Sequence, residues 1–507
     1  MSGQYQEQWE KQLSGQPTRN HGFTSDIQNK VRERIRMEQQ NNKRNRWFRT
    51  AAALTSVVIV LGGGWLLRDD IGSLLKQKPS GMDGVPAALQ NDVLADENAT
   101  LKVMVGQYDN FNNMQYARPF LLHHPTVTVE TAQMPDKIYQ GKELLEWVDK
   151  ENPDVLRLSL QQYYELAKAG KLKPLDTLIK SDAVDVDAMY EPVIDILRQY
   201  GGGQLYGLTP AFQTDAVFIN KELFEKNGIP LPHAGMTWDE LLDTAARFQG
   251  TGTAGLVSSS FGDNPSALVD DIAQATGLQT DTQGGKQVTI DTPAWAELWT
   301  KITNGYKDGW IYRDKTSDSK SKVESFTPSD PFLKGDAAMV VTSGYYVSQI
   351  QSAWKDDQKW ITIPVPGDQI SSFHLLEIYA VSSTASSEKA AWEMVKFMNG
   401  SEFAKRLIGT GMSKTPIRQS DAQQKFGEEQ IAAFYQNKLE LPQDWQNAAD
   451  GSPMSNTLAG YAFQDSKPLL EEVIAGTLSV DQALVQLKEK LEQHAQQDAL
   501  NAQKEKS

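Results

Sequence analysis

The alternation of hydrophobic and polar positions is most complete between Leu205 and Phe248, where it predicts strand, helix, extended link and helix in that order. Asp215-Ala-Val-Phe-Ile-Asn220 is a short β-branched and aromatic run, the pattern of a buried strand. Asn220 is placed to cap a short helix carrying Leu223 and Phe224, which should end at Asn227-Gly228 in a left-handed residue. Pro230 and Pro232 keep the next segment extended. Thr237-Trp-Asp-Glu240 is a capping box, opening a helix whose Trp238, Leu241, Leu242, Ala245 and Phe248 share one face.

The same reading extends in both directions. Leu101-Lys-Val-Met-Val105 alternates as a first strand that enters the loop Gly106-Gln-Tyr-Asp-Asn110. Thr126-Val-Thr-Val-Glu130 predicts a second strand, and Pro153-Asp-Val155 begins a third before a helix from about Tyr163 to Ala169. Gly201-Gly-Gly203 lacks the Lys-Ser/Thr of a phosphate loop and reads as a hairpin turn. Further on, Asp291-Thr-Pro-Ala294 starts a helix with Trp295, Leu298, Trp299 and Ile302 at core spacing. A polar stretch, residues 313 to 330, predicts a surface loop. Val340-Val-Thr342 and Glu377-Ile-Tyr-Ala-Val-Ser382 read as strands, and Ser386-Ser-Glu388 opens a helix bearing Ala391, Trp392, Val395 and Phe397. Ser479-Val-Asp-Gln482 caps the last helix, with Val480, Leu484, Leu487 and Leu491 as its stripe. Strand-helix-strand order implies an α/β body with parallel pairing and right-handed crossovers.

Several of these stretches carry a family likeness. The turn Tyr206-Gly-Leu-Thr-Pro210, the strand end Ile219-Asn-Lys221, the run TWDEL from Thr237, and Ala167-Lys-Ala-Gly-Lys-Leu-Lys-Pro-Leu175 form one set. A second set is Phe332-Leu-Lys-Gly-Asp-Ala-Ala-Met339 with its following strand and glycine turn, AWEMVKFM from Ala391, and Gly409-Thr-Gly-Met-Ser-Lys-Thr-Pro416. Together they resemble the extracellular solute-binding proteins of sugar-type ABC importers, the relatives of maltose-binding protein, over roughly residues 99 to 495. The resemblance implies a two-lobed periplasmic-binding-protein-like fold with three interlobe crossings, near Thr209 to Ala216, His374 to Ala380 and Gly409 to Ile417. Lobe 1 would comprise 98–212 and 374–412, and lobe 2 213–373 and 413–495, followed by a polar tail at 496–507. It also implies a carbohydrate ligand, an oligosaccharide, and the permease subunits of an ABC importer as partners.

Composition changes the picture at the N-terminus. Thr50 to Leu67 is an uncharged run, with Lys43, Arg44, Arg46 and Arg49 before it and Trp47 and Trp65 near its ends. That is long enough to span a bilayer, and the basic cluster would keep residues 1–49 in the cytoplasm and the large body outside. A cleaved signal peptide would carry its charges near the N-terminus, so an uncleaved anchor is expected, followed by a linker at 68–97. Ile27, Val31 and Ile35 form a narrow stripe in the tail, either a solvated helix or a docking helix for a cytosolic partner. Residues 1–49 hold ten Lys and Arg against five Asp and Glu, a surplus of five; the chain's formal −15 therefore leaves −20 on the remainder. An acidic body of that kind argues against nucleic acid. With no cysteine, the chain has no disulfide, no thiol nucleophile and no lipid-modified N-terminal cysteine, although lipoproteins are usual among Gram-positive members of the resembled family.

No catalytic constellation emerges. Carboxylate pairs are frequent among 65 acidic residues, so they do not identify a glycosidase. Asp182, Asp185 and Asp187 lack calcium-loop spacing, and His123-His124 lacks further ligands, so no metal or other cofactor is expected. Carried over by motif, the ligand-facing candidates are Tyr108 and Asp109 after the first strand, Ser159 and Gln161 after the third, and Phe212, Gln213 and Asp215 at the first crossing. Tyr345 and Tyr346 would supply rings, with His374 and Glu377 at the second crossing. Carboxylates, amides and aromatic faces are what sugar hydroxyls and C–H faces require. Two functions remain open: solute capture for an importer, and a membrane-anchored sensor or envelope scaffold signalling through the tail.

Overall fold

A computed structural model describes residues 92–106, 111, 116–138, 140–257, 264–282, 287–313, 330–354, 359–367, 373–375, 377–409, 414–437, 439 and 458–505. The basic tail, the apolar run at 50–67, most of the linker, Tyr108 and Asp109 lie outside the described residues. Among the described residues no helix is long and apolar enough to cross a membrane.

Two sheets organise the body. The first contains β1 (Thr100–Gly106), β2 (Thr128–Met134), β3 (Val155–Leu158), β4 (Gly207–Leu208) and a late strand, β12 (Ile378–Val381), in the order β2-β1-β3-β12-β4. The second contains β6 (Asp215–Asn220), β7 (Ala254–Val257), β10 (Ala337–Ser343) and β11 (Trp360–Pro364), in the order β11-β6-β10-β7. Between them in sequence lies β5 (Ala211–Phe212), and a small ladder joins β8 (Asp281–Thr282) to β9 (Gln287–Val288). The late strand β12 inserts antiparallel between β3 and β4, while β13 (Thr415–Pro416) pairs with β5. The chain thus leaves the first sheet after β4, returns to it at β12, and passes back beside β5 at β13.

Strand β6 shows why the second sheet is apolar throughout. Val217 and Ile219 face one core with Trp238, Leu241 and Trp299, while Ala216 and Phe218 face the other with Tyr346 and Trp360. Side chains alternate across a strand, so a sheet covered on both faces needs a continuous apolar run. The local signals act as expected. Asn220 accepts the Leu223 N–H at 3.3 Å, Gly228 is left-handed at φ 64°, and Thr237 and Glu240 form the full capping box.

Two expectations need correction. The second strand runs from Thr128 to Met134 rather than 126 to 130, because its parallel register matches all of β1, from Thr100 opposite Thr128 to Gly106 opposite Met134. The triple glycine is no hairpin: Gly201 ends helix Glu191–Tyr200, and Gly203 N–H closes the turn on the Arg198 carbonyl at 2.8 Å. Left-handed backbone at Gly202 (φ 64°) and Gly203 (φ 96°) is what that helix end requires. Residues 496–505, within the polar stretch at the end of the chain, belong to helix Val480–Glu505.

Behind β5 and β13, helices Gln419–Phe426 and Glu428–Ile431 and the 3-10 turn Ala432–Tyr435 form a brace between the two sheets. Neighbouring rings of that turn face different strands: Phe434 lies 6.0 Å from Phe218 of β6, and Tyr435 lies 5.8 Å from Phe212 of β5. The buried Tyr435 hydroxyl donates to the Pro416 carbonyl at 2.7 Å, tying the brace to β13. Tyr435→Phe is expected to destabilise the body by about 1 kcal/mol, the net worth of such a bond. Urea unfolding of the full-length variant measures this, and an unchanged midpoint would mean that water replaces the hydroxyl without loss.

Candidate functional site

The site is best built from Arg157, because a guanidinium in the apolar run of β3 must find an anion. Its strand pairs with β12, and Arg157 stands opposite Tyr379. Two residues earlier in that return strand's approach is Glu377, whose carboxylate is 2% exposed and accepts from Arg157 Nη2. Two further groups converge on it: Tyr116, at the start of helix Ala117–His123, donates its hydroxyl at 3.1 Å, and Lys414, just before β13, places Nζ at 3.0 Å. The Arg157 guanidinium also lies over the Tyr116 ring at 5.3 Å, and that ring stacks on Phe111 at 5.7 Å. Four segments far apart in sequence therefore meet on one carboxylate.

The electrostatics follow from this convergence. Burial pushes the Glu377 carboxyl up, but Arg157 and Lys414 outweigh it and hold the group below the ordinary glutamate value, so it is ionised. Burial, with the Glu377 charge beside it, drives the Tyr116 phenol well above the ordinary tyrosine value, which keeps it a neutral donor. A small pocket opens above the cluster, lined by Tyr116, Ala211, Glu377, Leu407, Lys414 and Pro416. Its walls come from all three passages between the sheets.

The remaining candidates divide. Gln213 and His374 pair through their backbones, each N–H reaching the other's carbonyl at 3.0 Å, which joins the first two crossings beside the pocket. Burial holds the His374 imidazole below its ordinary value. Asp215 begins β6 and its carbonyl accepts from Asn437 Nδ2 at 2.9 Å. Phe212 is 1% exposed, stacked 5.3 Å from Tyr190 and packed against Tyr435, so it supports the crossing from inside. Ser159 is occupied as the cap of helix Leu160–Lys168, in a reciprocal box with Gln162, and the buried Gln161 amide donates to Glu165 at 2.7 Å.

Tyr346 departs furthest from expectation. Its ring is 0% exposed, lies 5.3 Å edge-on to Phe218, and donates its hydroxyl to Asp330 at 2.7 Å. In this conformation it offers no face to a solute; the glycine turn sends it into the core, while Tyr345 beside it stays half-buried. Sequence reasoning missed Arg157, Tyr116 and Lys414. For Arg157 a signal was present, a cation inside the apolar run Val155–Leu158; Lys414 lies within the Gly409–Pro416 motif that marked the third crossing, and Tyr116 has no local signal.

Comparison with known proteins agrees with this architecture. A family model described as bacterial extracellular solute-binding protein matches residues 115–442. A Brucella abortus binding protein is 22% identical over 307 residues, which is 55% of this chain and 66% of that protein, so the match spans just under two thirds of the relative. Among solved structures, an ABC substrate-binding protein of Listeria monocytogenes in complex with cycloalternan superposes with TM-score 0.51, 18% identity, and coverage of 78% of this chain and 99% of that one. The sugar-binding protein MalE of Xanthomonas citri gives 0.53 at 17% identity over 80% and 99%. An extracellular solute-binding protein family 1 member of Alicyclobacillus acidocaldarius gives 0.55 at 15% over 78% and 98%. At such identities the likeness is one of fold, the two-lobed α/β body.

Proposed function

The chain belongs to the bacterial extracellular solute-binding proteins, and from that membership we propose that it captures a carbohydrate, an oligosaccharide, for an ABC importer while anchored in the cell membrane. Membership of a solute-binding family places it among binding proteins and not among enzymes. The observation that carries the carbohydrate reading is the pocket at the three crossings, where a charged, hydrogen-bonding floor meets the apolar Ala211, Leu407 and Pro416. Hydroxyl edges and C–H faces of a sugar call for that combination. Gln213, Asp215, Tyr345 and His374 are the flanking contacts this reading assigns, with Tyr108 and Asp109 as further candidates. The cycloalternan bound by the Listeria protein fits the same class.

A thermal-shift screen of the full-length protein against neutral and acidic oligosaccharides tests it. A ligand at a hundred times its Kd adds about 2.7 kcal/mol to the folded state, so at least one saccharide should raise Tm by a measurable step. A panel with no stabilising member would remove the carbohydrate assignment.

Anchoring rests on the apolar run at 50–67 behind its basic cluster. Protease added to intact protoplasts should degrade the body and spare a fragment containing residues 1–49. Release of mature protein lacking the tail into the medium would show cleavage instead. The same tail favours a second reading, a membrane-anchored sensor or scaffold that reports solute binding to a cytosolic partner; deleting residues 1–49 would then abolish a transcriptional response while solute uptake continued.

A further inference from the structure

We propose that the pocket between the crossings selects an acidic sugar, whose carboxylate is held by the Lys414 ammonium; this rests on the carbohydrate reading above. Donors and acceptors in the pocket are unequally committed. Glu377 is its carboxylate, and that group already accepts from Arg157, Tyr116 and Lys414. A carboxylate has about four lone-pair sites, so at most one on Glu377 Oε2 is left for a sugar hydroxyl arriving as a donor. The Tyr116 hydroxyl is likewise directed at Glu377.

Lys414 is different. An ammonium carries three donors, and among the described residues this one makes a single ion pair, to Glu377 Oε2 at 3.0 Å. It must share that one negative charge with Arg157, so its own charge is incompletely offset. Its side chain keeps 26% exposure and lines the pocket. A carboxylate is the best complement to such a donor, because it adds the attraction of opposite charges to a bond that the ammonium already makes charge-assisted. Ala211, Leu407 and Pro416 supply the remaining, apolar lining of a pocket whose free volume in this conformation is only about 20 Å³, so the contact it offers is to the carboxylate and not to a whole ring.

The acidic surroundings do not oppose this. Charges separated by more than about 8 Å are largely screened at physiological salt, so a single carboxylate in the pocket responds chiefly to its contacts. The −20 outside residues 1–49 does disfavour long polyanions, which narrows the class to short saccharides with one or a few uronate residues.

Isothermal titration of the purified full-length protein with digalacturonate, trigalacturonate and glucuronate, each beside its methyl ester, decides the matter, with maltotriose and cellotriose as neutral oligosaccharides. The acid should bind about tenfold tighter than its ester through the added attraction of opposite charges, and the ratio should shrink in high salt. In Lys414→Gln the ratio should fall to about one, and in Lys414→Arg it should persist. Calorimetric unfolding of both variants verifies that they fold, and the acid-to-ester ratio of the unmodified protein stands without them. Binding of the neutral oligosaccharides with acids no better than esters would overturn the acidic-sugar proposal and leave the carbohydrate reading intact. A ratio unmoved in a folded Lys414→Gln would overturn the role of Lys414. Failure of every saccharide would overturn both.

Discussion

Replacing Glu377 with alanine is expected to lower the stability of the folded body by about 3–5 kcal/mol, because it removes the carboxylate on which two partly buried cations converge. That is a large share of the roughly 5–15 kcal/mol that holds a typical domain folded. Glu377→Gln keeps the size and one acceptor oxygen and should lie between alanine and the natural protein. The loss has a pH signature with a definite sign. The folded carboxyl titrates below the ordinary glutamate value, so the stability it contributes is complete above that value and disappears as pH falls through the lower, folded value. Differential scanning calorimetry of the full-length proteins should therefore show Tm of Glu377→Gln well below the natural protein at pH 7, with the gap closing in acid. A gap independent of pH would show that packing, and not ionisation, is what Glu377 supplies.

Gly255→Ala should cost about 3 kcal/mol, the upper part of the range for overpacking, although only one methyl group is added. The added carbon on β7 would stand 2.1 Å from the Ala245 carbonyl oxygen and 2.5 Å from its Cα, which is backbone of helix Trp238–Ala246 and cannot rotate away. The helix must move off the sheet, and with it the contacts of Trp238, Leu241 and Leu242. A fall in the urea midpoint together with a blue-to-red shift of tryptophan emission at lower urea would be the readout. An unchanged midpoint would mean that the strand and helix pack farther apart than they do here.

These two residues illustrate how unevenly the sequence discloses the structure. Caps and stripes are local, so Asn220, Gly228, the Thr237–Glu240 box and the Trp299 core position could be read directly. Gly255 could not, because nothing nearby in sequence says that a helix backbone lies against it. The site behaves the same way. Glu377 was visible by its place at the return strand, but its partners at 116, 157 and 414 are assembled only by the pairing of β12 with β3 and of β13 with β5. Tyr346 shows the opposite error: the motif located an aromatic turn, while the acceptor that draws the ring inward, Asp330, lies sixteen residues upstream.

The insertion of β12 between β3 and β4 also sets a timetable for synthesis. Strand β4 ends at Leu208 and its neighbour begins at Ile378, so 170 residues must be made before the first sheet can close around its fifth strand. At the usual 5–20 residues per second this is roughly 10–30 s during which β3 and β4 have no partner on the facing edge. The second sheet, complete once β11 ends at Pro364, is ready first although it is encoded later than most of the first. Closure of the first sheet, and with it the joining of its two edges, therefore waits for the return strand.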